Sequence, residues 1–114
     1  MAPRRESSVV EAIAAWLRTI PGCEFRKRWG GPYTGNLGDP DLYGSLRIDI
    51  GRPDEPLEIG AHFEIEVKLP GERPRRNQVV AQRRWHRTAA VVGTVHSLEE
   101  ARILLAPLLD ARRR

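Results

Sequence analysis

In Gly38-Asp-Pro-Asp-Leu42 a turn delivers Asp41 to the start of an alternating apolar run, and in Ala61-His-Phe-Glu-Ile-Glu-Val-Lys-Leu-Pro70 the polar residues Glu64, Glu66 and Lys68 recur at every second position. Residues two apart on a strand share a face, so that face carries two acids and an ammonium within about 14 Å, taking roughly 3.4 Å per residue. Hydrolysis of a phosphodiester needs a divalent cation held by carboxylates, a water made nucleophilic, and positive charge near the oxyanion. Mg²⁺ asks for few protein carboxylates and keeps several waters. Asp41 and Glu66 are suited to hold the cation, and Lys68 to orient or activate the water. Lysine fits that task where arginine does not, because a compact ammonium can shift its pKa while a guanidinium stays charged.

Each of these residues also has a plainer explanation. A strand bearing Glu64, Glu66 and Lys68 is, on its own, a solvated edge strand whose charges discourage aggregation. Asp41 alone is an Asx turn after proline. A second Pro-Asp stands in Gly51-Arg-Pro-Asp54, but Asp54 is followed by Glu55-Pro56 rather than by a strand, and proline cannot pair in a ladder. Asp41 is therefore preferred to Asp54.

The elements that must position these residues follow from periodicity. Ser8-Val-Val-Glu11 has the form of a capping box, and Val10, Ile13, Ala14 and Leu17 recur at helical spacing until Pro21-Gly22, predicting a helix over 8–20. Cys23 to Trp29 alternates and reads as a strand, followed by a glycine-rich loop over Gly30 to Gly38. Leu42, Leu46, Ile48 and Ile50 mark a second strand, with a turn at Gly51 to Pro56 and the strand 61–70 as its hairpin partner. Arg75 to Thr88 has helical composition, and Ala89 to Val95 reads as a buried strand. Ser97-Leu-Glu-Glu100 is a second capping box, opening a helix to about Asp110 with Ile103, Leu104 and Leu108 on its apolar side. Arg112 to Arg114 form a frayed basic tail. The order α-β-β-β-α-β-α implies an α/β domain with a mixed sheet flanked by helices.

A chain of 114 residues suits one domain spanning 1–114. Its formal charge is +4, and of its 19 Lys and Arg residues only Lys27 and Lys68 are lysines, which leaves 17 arginines suited to phosphate recognition. Cys23 is alone, so no internal disulfide forms, and His62, His86 and His96 lack zinc-ligand spacing. The apolar stretch after Arg4 and Arg5 is interrupted by Glu11 and Arg18, and no stretch approaches membrane-spanning length. The expectation is a cytoplasmic protein with no membrane contact. Arg75, Arg76 and Arg83 lie on one predicted helix, where a charged run is either a solvated surface or a set of phosphate contacts. Trp29 beside Gly30-Gly31 either stacks on a base or packs over the sheet edge.

Pro40-Asp41, Glu66-Val-Lys68 and the helical Gln78 that follows resemble the PD-(D/E)XK nuclease superfamily, and specifically its stand-alone VRR-NUC branch. The likeness runs from the glutamate-bearing first helix to the terminal strand and helix. It implies a restriction-endonuclease-like αβββαβ core with an additional C-terminal helix. It also implies an endonuclease dependent on Mg²⁺ or Mn²⁺, with no small-molecule organic cofactor, acting on branched DNA such as a Holliday junction, and working as a homodimer. By the same resemblance Asp41 and Glu66 match the metal ligands together with the Val67 backbone carbonyl, Lys68 the catalytic lysine, and Gln78 the polar helix residue beside the site. The first-helix glutamate is Glu6 or Glu11, with Glu6 favoured. The alternative, from a different class, is a catalytically silent nucleic-acid-binding or assembly module that keeps the fold; intact Asp41, Glu66 and Lys68 argue against it.

Overall fold

Apolar residues three and four apart give the first segment one oily stripe, and in the computed structural model it forms α1 (Glu6–Arg18) with Val9, Ile13, Ala14 and Leu17 buried. The structure describes residues 5–28, 40–88 and 90–112. The helix begins ahead of the predicted position 8. Ser8 donates its N–H to the Arg5 carbonyl at 3.0 Å, so Arg5 is the N-cap and Ser8 lies within the first turn rather than capping it. Glu6 therefore occupies the first turn, where a negative charge complements the helix dipole.

Among the described residues four strands follow the predicted order around two further helices: β1 (Cys23–Lys27), β2 (Leu42–Asp49), β3 (Glu58–Val67), α2 (Arg76–His86), β4 (Val91–Val95) and α3 (Leu98–Ala111). The sheet order is β1-β2-β3-β4, antiparallel at the first two pairings and parallel between β3 and β4. The parallel step is made possible by the crossover through α2. Gly44 lets β1 and β2 approach closely, since a Cβ there would lie 2.2 Å from the Glu24 carbonyl oxygen. Trp29 and the predicted loop 30–38 lie outside the described residues, as do Arg113 and Arg114 of the predicted tail.

The two faces of the sheet are unlike. Leu42, Leu46, Phe63, Ile65, Val67 and Val95 turn to one side and pack with α1 and with Ala101 and Leu105 of α3 into a single apolar core. Ser97 caps α3 as expected, its hydroxyl accepting the Glu100 N–H at 3.1 Å. The predicted apolar side of α3 is corrected in one residue. Ile103 is 65% exposed, because it sits two residues, roughly 200° of helix, from Ala101, whereas Leu104 and Leu108 flank the buried Leu105. On the opposite face of the sheet lies α2, of which Ala81 is the buried residue, and that face holds the polar groups.

Candidate active site

The polar residues of β3 are not a solvated edge. β3 is bonded on both sides, and Glu64, Glu66 and Lys68 are 0%, 2% and 7% exposed. The reason is the crossover: β4 pairs beyond β3 and α2 covers the face to which these residues point. β3 itself starts earlier than predicted, at Glu58, and ends at Val67, but the ladder contact continues one step, with the Lys68 N–H bonded to the Val95 carbonyl at 3.0 Å.

Register brings the two acids together. Leu42 pairs with Ile65, so one more antiparallel step sets Asp41 opposite Glu66. Asp41 Oδ2 accepts the Val67 N–H at 2.7 Å, which fixes the carboxylate to the strand that carries Glu66. The N–H and C=O of one strand residue point to the same neighbour, so the Val67 carbonyl lies on the Asp41 side. Gln78 is placed by a helix-start device: its Oε1 accepts the N–H of the N-cap residue Arg75 at 2.7 Å, leaving its Nε2 to donate to Glu66 Oε1 at 2.8 Å. Lys68 Nζ stands 3.8 Å from the same oxygen. Glu66 Oε2, fully buried, has no hydrogen-bond partner among the described residues.

The electrostatics record a shortage of positive charge. Burial, reinforced by the charges of Asp41 and Glu6 and by the hydrogen bond that a protonated Glu66 gives Asp41, and opposed by Lys68, pushes the Glu66 carboxyl up to about 8. Burial also raises Asp41, against the Val67 hydrogen bond and the Lys68 charge. Glu6 is raised by burial and by a hydrogen bond shared with Glu72, and the charges of Lys68 and Asp41 reach it. Glu11 is instead paired with Lys27 on the exposed surface and held below the usual carboxylate range by it. Of the two candidate helix glutamates, Glu6 is the one brought to the site. Asp54 is exposed in the turn at the far end of the β2–β3 hairpin. Arg75, Arg76 and Arg83 are exposed at the start and on the outer side of α2.

Among the described residues no three His, Cys, Asp or Glu side chains form a ready metal cage. The donor set at Asp41 and Glu66 is two carboxylates, one with a bare buried oxygen. Such a set suits a hard cation that retains most of its waters, as Mg²⁺ does, and its mutual repulsion is what a dication would relieve.

A solved structure described as a VRR_NUC domain superimposes on this chain with a TM-score of 0.64 at 24% sequence identity, covering 89% of this chain and 94% of that one. The chain has the VRR-NUC fold. The four-stranded mixed sheet and three helices are consistent with that restriction-endonuclease-like architecture. No protein-family model matches the sequence, and no curated protein matches it.

Within this VRR-NUC fold the sequence reading passed over a second polar cluster beside the first. Arg28 donates from Nη2 to Glu64 Oε2 at 3.1 Å and from Nη1 to Glu64 Oε1, and His62 Nε2 meets Glu64 Oε2. The guanidinium lies 4.2 Å from the Tyr43 ring centroid and 5.8 Å from that of Trp85, and Trp85 stacks on His62 at 4.8 Å. Tyr43 is thus a cation–π partner of Arg28. The available signal was alternation: Glu24, Arg26 and Arg28 share parity on β1, and His62, Glu64 and Glu66 share it on β3.

Proposed function

We propose that this chain is a divalent-metal-dependent DNA endonuclease that hydrolyses phosphodiester bonds in branched or otherwise structured DNA. The observation that carries the reading is the buried Asp41–Glu66 pair, opposed across one strand step, with Lys68 and Gln78 on one glutamate oxygen and the other oxygen bare. Fold alone does not assign an activity, and a nuclease reading rests on this site.

Asp41, Glu66 and the Val67 carbonyl hold Mg²⁺ or Mn²⁺ in this reading. When bound, the cation supplies Lewis-acid stabilisation of the scissile phosphate and lowers the pKa of a bound water. Gln78 and the backbone N–H of Val67 fix the carboxylates in place. The Lys68 ammonium orients the attacking water and offsets charge developing on the phosphate oxygens. Glu6, with Glu72 beside it, supplies further acidic groups at the mouth of the site. The exposed Arg75, Arg76 and Arg83 contact phosphates on either side of the cut; Trp29, the candidate base-stacking residue, lies outside the described residues.

Symmetric cutting of a four-way junction requires two such sites related by a two-fold axis, so the working unit is a homodimer. The test is cleavage of labelled four-way junction and linear duplex in parallel, with and without Mg²⁺. Metal-dependent cleavage favouring the junction supports the reading. Junction binding with no cleavage at any Mg²⁺ or Mn²⁺ concentration would overturn it in favour of a binding module.

A further inference from the structure

Asp41 stands immediately before β2, directly after a residue that cannot donate to a ladder, and the direction of its Cα–Cβ bond is set by the two peptide units that flank its Cα. Both units are held by one residue. The Arg28 backbone N–H donates to the Asp41 carbonyl at 2.8 Å, and Arg28 Nη1 donates to the Pro40 carbonyl at 3.0 Å. With the carbonyls on either side of Asp41 fixed, its φ and ψ are fixed too, and with them the direction of the Cα–Cβ bond, from which the Val67 N–H then holds the carboxylate in one rotamer.

The guanidinium can do this only because it is itself immobile. Glu64 binds it through both oxygens, and the Tyr43 and Trp85 rings pack near it. Glu64 is fully buried and His62 holds its Oε2 in turn. The planar fork of an arginine can serve the Pro40 carbonyl and both Glu64 oxygens together; a single ammonium cannot span the same set.

We propose that Arg28 is a positioning residue of the metal centre, which aims the Asp41 carboxylate by clamping the Pro40 and Asp41 carbonyls, with Glu64 as the anchor of the clamp. This rests on the reading of Asp41 and Glu66 as a metal site. It assigns the part-buried Arg28–Glu64 pair a task beyond holding the sheet together: the pair orients a ligand through its backbone, without a hydrogen bond to the carboxylate itself.

The test separates the clamp from simple charge neutralisation. Removing Arg28 alone strands a buried Glu64 charge, so the informative variant is the double substitution Arg28→Met with Glu64→Gln, which leaves neither charge unpaired. Arg28→Lys is the conservative companion. Two quantities are read on the metal-free chain: Mn²⁺ affinity by calorimetry without DNA, and hydrogen exchange of the Val67 amide, whose acceptor is the Asp41 carboxylate. The expected result is a melting temperature close to that of the parent in the double variant, with Mn²⁺ affinity weakened at least about tenfold and the Val67 amide exchanging faster than its β3 neighbours. Arg28→Lys falls between the two. Parental Mn²⁺ affinity and parental Val67 protection in a folded double variant would overturn the clamp. If the parent itself binds no Mn²⁺, the metal-site reading falls, and the Val67 amide still decides whether Arg28 aims Asp41.

Discussion

Glu64 and Glu66 lie two residues apart on one strand, point to the same face and are both buried, yet they are treated in opposite ways. Both oxygens of Glu64 are bound by the cation Arg28, and His62 adds to one of them. Glu66 has hydrogen-bonding on one oxygen, no partner on the other, an acid opposite it and a carboxyl pushed up to about 8. A satisfied buried carboxylate is a structural part. An under-satisfied one facing a like charge is held in place by the rest of the fold and lowers its free energy by taking up a proton or a cation. Burial alone therefore does not distinguish a site from a scaffold; the completeness of the hydrogen bonding does.

The largest expected effects lie on the unsatisfied side of this comparison. Glu66→Ala, Asp41→Ala and Lys68→Ala are each expected to lower the cleavage rate by about a thousandfold or more, since the first two remove a metal ligand and the third the ammonium beside the attacking water, each several kcal/mol of transition-state stabilisation at 1.36 kcal/mol per tenfold. Glu66→Gln leaves melting of the metal-free chain unchanged or raises it, because it removes a carboxyl that must hold a proton in the folded chain which the unfolded chain releases. Asp54→Ala, in the exposed turn, leaves the rate within about twofold. A Glu66→Ala variant that cuts at the parental rate would make Glu66 a second scaffold acid.

On the satisfied side the effect falls on stability. Glu64→Ala leaves Arg28 only 21% exposed without its counter-ion, and breaking such a pair costs about 3 kcal/mol. Urea denaturation measures this directly. A loss under about 1 kcal/mol would mean that the Arg28–Glu64 pair behaves as an exposed ion pair, and the contrast between the two glutamates would collapse.

The two glutamates also show what was legible in the sequence. Element order, the Asp41 strand start and the Glu66-Val-Lys68 face follow from local alternation, which a single strand displays in full. Whether β3 was an edge or a central strand depended on β4 pairing beyond it, a contact between residues some 28 positions apart that no local pattern records. Arg28 was missed for the same reason. Its partners Pro40, Asp41 and Glu64 are 12, 13 and 36 residues away, and a glycine-rich segment hides the β1–β2 register that makes Arg28 face Asp41. Ser8 failed as a cap because the box pattern was present but the helix found its first turn at Glu6.

A smaller, graded effect follows from the raised Glu66 carboxyl. The ordinary value is 4.5 and the folded value about 8, so between these limits the metal-free fold carries a proton that the unfolded chain has lost. Stability of the metal-free chain therefore falls as pH rises through that window. The cation must displace the same proton, so apparent Mg²⁺ affinity rises up to about tenfold per pH unit toward pH 8 and levels off above it. Titration of cleavage against Mg²⁺ at pH 6, 7, 8 and 9 measures this. A half-saturating concentration independent of pH would show that Glu66 is already ionised in the metal-free site, and so is no less satisfied than Glu64.

The smallest effect lies outside both clusters, on the arginines of α2. Gln78 ties the start of this helix to Glu66, so a strand whose phosphate reaches the acids passes the exposed Arg75 and Arg76, and Arg83 stands two turns further along. Each duplex phosphate neutralised by an arginine releases condensed counterions and adds roughly 0.9 to the slope of log affinity against log salt. Neutralising Arg75, Arg76 and Arg83 together is expected to weaken binding for every DNA sequence alike and to flatten the salt slope by about 2 to 3, while the cleavage rate at saturating DNA stays within a few-fold of the parent. In the proposed function these side chains gather substrate and Asp41, Glu66 and Lys68 act on it, so affinity and rate are expected to separate. Fluorescence anisotropy across a salt series, paired with single-turnover cleavage, reads both quantities. An unchanged slope in the triple variant would return the three arginines to the solvated surface and shift the search for the phosphate track to the other side of the site.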